Sequence, residues 1–203
     1  MKKTKIEGQI SEEEDLAAHG TDAKSFAKHA LAPENSLSAQ LDITKISGSV
    51  YRCGDNVDTD VIIPARHLNI NDPAELAKHA MEDLDPNFLT KLHDIIVGGK
   101  NFGSGSSREH APLALKAAGV KAIIAKSFSR IFYRNAINIG LPVIILPEAD
   151  QIGSDAIIDL AKGTIESKGK KFTFAPYAKE VSSILKDGGL VAYLKKKLKG
   201  KKN

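Results

Sequence analysis

Short apolar runs punctuate the chain from residue 46 onward, each bounded by turn-forming residues. Ile46-Ser47-Gly48-Ser49-Val50-Tyr51-Arg52 mixes apolar with small and polar positions and reads as a strand. A turn-rich stretch follows, Gly54-Asp55-Asn56-Val57-Asp58-Thr59-Asp60, then the apolar triplet Val61-Ile62-Ile63 ahead of Pro64. Asp72-Pro73 predicts a helix start, with Leu76, Ala77, Ala80 and Met81 as its apolar face, and Asp85-Pro86 stops it. Asp94-Ile95-Ile96-Val97-Gly98-Gly99 reads as a buried strand ending in glycine. Further strands are expected at Ala122–Ala125, at Leu141–Ile145, and around Ile157 and Phe172. Helical stretches fall between them over residues 108–118 and 128–138, and a last pair, 178–186 and 190–198, is split by Gly188-Gly189. Buried runs alternating with helices predict an α/β fold with a largely parallel sheet.

The first 45 residues have a different texture. They hold the acidic cluster Glu12-Glu13-Glu14-Asp15, a short helical pattern over 22–31, Pro33 and a polar stretch over 36–40, with no strand pattern. A poorly structured, flexible extension is the expectation there. The domain proper is expected over 46–199, with a basic tail over 200–203.

Composition is that of a globular domain: 42% hydrophobic and 27% charged over 203 residues. No apolar run approaches the ~18–20 residues that a membrane span needs, and the acidic cluster stands where a signal peptide would be apolar. The expectation is a cytoplasmic protein without membrane attachment. The net charge of +4 comes from six lysines among the last nine residues; without them 23 basic residues face 25 acidic ones. A solvated helix end, its lysines complementing the helix dipole, explains that tail better than nucleic-acid binding does. The lone cysteine, Cys53, excludes an internal disulfide and a self-contained iron–sulfur site. No metal site is expected in this chain.

The chemistry concentrates in Gly98-Gly99-Lys100-Asn101-Phe102-Gly103-Ser104-Gly105-Ser106-Ser107-Arg108-Glu109-His110, which follows a strand and opens a helix. Four glycines let the backbone adopt unusual conformations and let a ligand approach closely. Ser106 or Ser107 is placed to cap the helix, aiming unpaired N–H groups at the loop mouth, a geometry that binds anions. Arg108, read as lying in the first turn, opposes the helix dipole, so it is better explained as a fork for a carboxylate or phosphate. The loop is not a P-loop, because Lys100 precedes the glycines. It lacks the third glycine of the dinucleotide fingerprint, and Ser104 has glycines one residue away on each side rather than the two of a nucleophile elbow.

This loop, the run from Lys126-Ser127-Phe128-Ser129-Arg130 to Gly140-Leu141-Pro142, and the earlier Gly54–Arg66 segment together resemble the swivelling domain of the aconitase superfamily. Within it they are most similar to the separate small subunits of 3-isopropylmalate dehydratases. The resemblance covers about residues 46–199 and leaves the first 45 aside. It implies a swivelling β/β/α three-layer domain and a hydro-lyase active only with a large subunit, as a heterodimer or heterotetramer. The large subunit would carry a 4Fe–4S cluster as Lewis acid, this chain binding no cofactor. The reaction implied is isomerisation of 2- and 3-isopropylmalate through isopropylmaleate in leucine biosynthesis. By motif position Ser106 corresponds to the base that takes the C–H proton, Ser107 and Arg108 to residues holding the substrate carboxylate, and Asp60 to an aspartate lining the site. Asn69 and Ile70, in the loop after Pro64, correspond to residues contacting the variable part of the substrate. Homoaconitase-type small subunits look to have an arginine where Asn69 stands. The alternatives are homoaconitase, a dimethylmalate-type hydratase, or a nucleic-acid-binding swivel domain. His110, Arg130, Arg134 and Cys53 are expected to be structural, and Ser104 stands where many relatives have cysteine.

Overall fold

The computed structural model describes residues 44–91 and 93–200. Most of the expected extension, its helix over 22–31 and the last three residues of the basic tail lie outside the described residues. Lys45 already belongs to the first strand, one residue ahead of its expected start.

The strands are β1 (Lys45–Arg52), β2 (Ile95–Gly98), β3 (Ala122–Ala125), β4 (Val143–Ile145), β5 (Asp155–Asp159), β6 (Thr164–Ser167) and β7 (Lys170–Thr173). They form one sheet in the order β4-β3-β2-β1-β5-β6-β7. The long β1 is shared between two wings. Its end, Val50–Arg52, pairs in parallel with Ile95–Val97. Its start, Lys45–Ser49, pairs antiparallel with Asp155–Asp159. The expectation of a largely parallel sheet therefore holds for β1–β4 only. Their links contain helices: α1 (Thr59–Ile62) and α2 (Pro73–Ala77), then α3 (His110–Ala117), then α4 (Arg130–Asn138). The other wing is built from tight connections. Lys168 and Gly169, both at positive φ (50° and 68°), form the two-residue turn that joins β6 to β7. A link that short permits antiparallel pairing alone.

Successive residues of the parallel strands face opposite sides, and each side has its own core. Ile96, Ile123 and Val143 join Ile62, Leu76, Leu115, Phe132 and Leu185 on the helical side. Ile95, Val97, Ile124 and Ile144 join Ala156, Ile158 and Ile165 of the antiparallel wing. The sheet thus curls so that its antiparallel wing covers one face while helices cover the other, giving the expected β/β/α layering. Leu115 is fully buried, and cutting such a residue to alanine costs about 2–5 kcal/mol. Two C-terminal helices, α5 (Lys179–Lys186) and α6 (Leu190–Lys199), complete the domain. Lysines crowd the last turn of α6 as expected, and Lys196 reaches back to Asp187 at 2.6 Å.

Several helices are shorter than the pattern predicts, and one is new. The helix expected from Asp72 to Asp85 ends at Ala77 and continues as turns, and Met81 takes a left-handed φ of 62° that no α-helix tolerates. The helix expected from residue 108 starts at His110. Val61 and Ile62 lie in α1, a single turn capped by Asp58, whose Oδ1 accepts from the Asp60 and Val61 amides at 2.8 and 2.9 Å.

Candidate active site

Two loops at the C-terminal ends of β1 and β2 are joined along their backbones. The Gly99 amide donates to Gly54 O (3.0 Å), Asn56 to Lys100 O (2.8 Å), Gly103 to Val57 O (2.7 Å) and Thr59 to Ser104 O (2.8 Å). Phe102, fully buried, anchors the glycine loop by edge-on packing against Phe128 and Phe132, with centroids 5.9 and 5.4 Å away. Gly103 sits beside that cluster at φ 74°, and a Cβ there would stand 2.1 Å from Cγ of Phe132. Conformation and space therefore both demand glycine at this position.

This joining presents the loop's serines. The buried Thr59 grips Ser106 from both sides: the Ser106 amide donates to Thr59 Oγ1 at 3.1 Å, and that hydroxyl donates to Ser106 O at 3.4 Å. Ser106 and Ser107 are themselves exposed. Asn135, from α4, donates through Nδ2 to Ser107 O at 3.4 Å. Arg108 folds back onto α1 and its Nη1 donates to Asp60 Oδ1. The guanidinium is the better sheltered of the two, its side chain 21% exposed against 53% for the aspartate. One nitrogen is engaged, which leaves the other donors of the fork for a ligand. Asp60, Ser106, Ser107 and Arg108 are thus assembled in one place.

The expected serine cap is not formed. Glu109 stands at the cap position of α3 without a side-chain hydrogen bond, and Ser106 and Ser107 lie in the loop ahead of it. Thr59 has taken over the Ser106 backbone groups. The helix dipole fades within a turn, and the charged residue nearest Ser106 in sequence is Arg108. Arg108 is outside the helix as well, so its conflict with the dipole disappears.

Asn69 is exposed and Ile70 is half-buried against the helical-side core, and the hydrogen bonds tying Asp60 to Arg108 do not extend to either. His110 is the half-buried first residue of α3. Arg130 and Arg134 are exposed, and neither makes an ion pair among the described residues, against the expected structural pairing. Cys53 packs against the helical-side core, and burial pushes its thiol up to about 12. Thr59 and Asn135 were overlooked in the sequence. Thr59 looked like one more turn residue between two aspartates, and Asn135 lies 28 positions from the serine whose carbonyl it holds.

The β/β/α domain presents two hydroxyls beside a braced arginine, an arrangement suited to receiving a carboxylate. The comparisons with known proteins narrow this further. The family model described as "Aconitase C-terminal domain" matches residues 65–149. The chain is 58% identical over 165 residues to the 3-isopropylmalate dehydratase small subunit of Aquifex aeolicus, covering 77% of this chain and 98% of that one. It is 53% identical to the 2,3-dimethylmalate dehydratase small subunit of Eubacterium barkeri, covering 74% and 96%. A crystal structure of 3-isopropylmalate dehydratase from Methanocaldococcus jannaschii superposes with a TM-score of 0.73 at 47% identity, over 78% of this chain and 99% of that one. The chain belongs to the family of 3-isopropylmalate dehydratase small subunits.

Proposed function

We propose that this chain is the proton-transfer half of a two-subunit hydro-lyase that interconverts 2- and 3-isopropylmalate through isopropylmaleate, in the cytoplasmic synthesis of leucine. The observation that carries this reading is a serine clamped at both backbone groups by Thr59, next to an arginine braced by Asp60. The reaction removes hydrogen and hydroxyl from neighbouring carbons of a hydroxy-acid and returns them with positions exchanged. Ser106 Oγ takes the C–H proton in one direction and gives it back in the other. A serine hydroxyl is a poor base unless its ionised form is stabilised, and Arg108 is the nearby cation. The free donors of Arg108 and the Ser107 hydroxyl hold a substrate carboxylate, and Asp60 keeps the guanidinium turned toward the site.

The residues of this chain do not fit a 4Fe–4S cluster. Its one cysteine is packed against the core with a thiol that stays protonated at neutral pH. The cluster, which supplies Lewis acidity toward the hydroxyl, belongs on this reading to a large subunit partnered as a heterodimer or heterotetramer. Among the described residues no helix is long and apolar enough to cross a membrane.

A second substrate, 2,3-dimethylmalate, is favoured by the Eubacterium barkeri relative at 53% identity. Both substrates are dicarboxylates with a small apolar branch, and Asn69 offers such a branch no cation. A third carboxylate entering there would lose hydration without a charged partner. Anaerobic assembly with a large subunit, followed by assays on 2-isopropylmalate, 2,3-dimethylmalate and homocitrate, tests the reading. The expected order puts 2-isopropylmalate first and homocitrate last, and Asn69→Arg raises the homocitrate rate. Equal kcat/KM on homocitrate and 2-isopropylmalate contradicts it.

A further inference from the structure

The turns after α1 and α2 together carry a second cluster, separate from the serines and unused by the proposed chemistry. His67 closes the short turn Ala65–His67, and His79 and Glu82 lie three residues apart in the turns after α2. The two imidazoles stack, with centroids 3.6 Å apart and planes 11° from parallel. Each presents one nitrogen to the same carboxylate, His67 Nε2 to Oε1 at 2.6 Å and His79 Nδ1 to Oε2 at 2.8 Å. The donor atoms of all three residues lie within 4.8 Å of one another.

We propose that His67, His79 and Glu82 bind a divalent transition-metal ion, zinc by preference, through His67 Nε2, His79 Nδ1 and the Glu82 carboxylate. Two imidazoles and one carboxylate are a borderline-soft nitrogen and oxygen set, suited to zinc, cobalt or nickel rather than to magnesium or calcium. The three side chains are 17%, 30% and 27% exposed, so an ion has a path in and solvent can complete its coordination. The backbone between the ligands is itself unusual. Met81 is fully buried at φ 62°, and its amide donates to Ile62 O at 2.9 Å. A non-glycine residue held left-handed reflects constraint from its surroundings, and here it sets the course of the chain from His79 to Glu82. Arg66 also touches Glu82 Oε1, but both of its terminal nitrogens reach Asp83, at 2.9 and 2.6 Å. Metal binding leaves that bidentate pair in place.

The cluster also bears on substrate choice, a consequence that rests on the proposed function. His67 is two residues from Asn69, so an ion joining the Ala65–His67 turn to the 79–82 turn fixes the loop entering the substrate-selecting position. This proposal departs from the expectation that the chain holds no metal site. His67 and Glu82 are 15 residues apart in sequence and only folding brings them together.

The test is calorimetric titration of the untagged, metal-free, full-length chain with ZnCl2, with CoCl2 as spectroscopic probe. Wild type takes up Zn²⁺ stoichiometrically. His79→Ala and Glu82→Gln each weaken it by roughly 10–100-fold or more, as loss of a ligand or its support does, and His110→Gln leaves it unchanged. The Co²⁺ form shows ligand-field bands without intense thiolate charge transfer. Absence of uptake by wild type overturns the proposal, as does uptake unaltered by both variants or a thiolate band assigning the ion to Cys53. Circular dichroism checks that the variants are folded, and the wild-type spectrum decides if they are not. No step of this test uses turnover, so its failure leaves the proposed function standing.

Discussion

Replacing Thr59 by valine removes the hydroxyl that holds Ser106 and keeps the side chain's shape, so no cavity opens in this buried position. Two hydrogen bonds disappear. The bond from the Ser106 amide at 3.1 Å is worth about 0.5–1.5 kcal/mol, and the bond to Ser106 O at 3.4 Å is near the limit of a hydrogen bond and adds little. The stability loss is therefore about 1 kcal/mol, read as a lower urea midpoint for the isolated chain. The catalytic loss is larger, because Ser106 keeps neither backbone anchor and a shift of about 1 Å in a reacting group costs roughly 10²-fold in rate. Thr59→Ser retains the hydroxyl and restores turnover while giving up a buried methyl. The assay is kcat and KM of the enzyme reconstituted with its large subunit, for wild type and both variants. A Thr59→Val enzyme that turns over at the wild-type rate refutes the idea that this clamp positions the base.

Two further outcomes follow from buried groups. Burial pushes the Cys53 thiol up to about 12, so iodoacetamide at neutral pH modifies it slowly in the folded chain and quickly in urea; fast modification of the folded chain contradicts that environment. His93 packs tilted against Tyr51, centroids 4.9 Å apart, with both ring nitrogens shut off from solvent and unpaired among the described residues, and burial, with Lys91 nearby, holds it below its ordinary value. The unfolded chain then binds a proton near pH 6.5 that the folded chain refuses, so stability falls as pH drops through and below that value. Urea midpoints for wild type and His93→Phe between pH 7.5 and 5 measure this, and equal acid sensitivity in the two sinks it.

The parallel wing was legible because β-branched runs such as Ile95-Ile96-Val97 and Ala122-Ile123-Ile124 are buried on both faces and read as continuous apolar stretches. The antiparallel wing was less so. Thr164–Ser167 buries only alternate positions, too few residues to stand out, and β1 gives no sign that its halves pair with different partners. The site was visible as a motif around Ser106, while its support was not. Thr59 acts across 47 residues, and a threonine in a turn looks the same whether it grips a neighbouring loop or faces water. The helix start was misplaced for the same reason: a serine ahead of an apolar run signals a cap, and tertiary pairing with Thr59 overrode it. The His67, His79 and Glu82 cluster depends on the turn at Met81, which local propensity does not favour.

The central claim is that Ser106 exchanges the substrate proton, and the Ser106→Ala chain assembled anaerobically with its large subunit tests it most directly. Both Thr59 hydroxyl bonds to Ser106 are made to its backbone and survive the substitution, so the alanine chain folds and assembles as wild type does. The account predicts that kcat on 2-isopropylmalate falls by roughly 10²–10⁴-fold or more. A correctly assembled Ser106→Ala enzyme with wild-type kcat would show that the proton goes elsewhere.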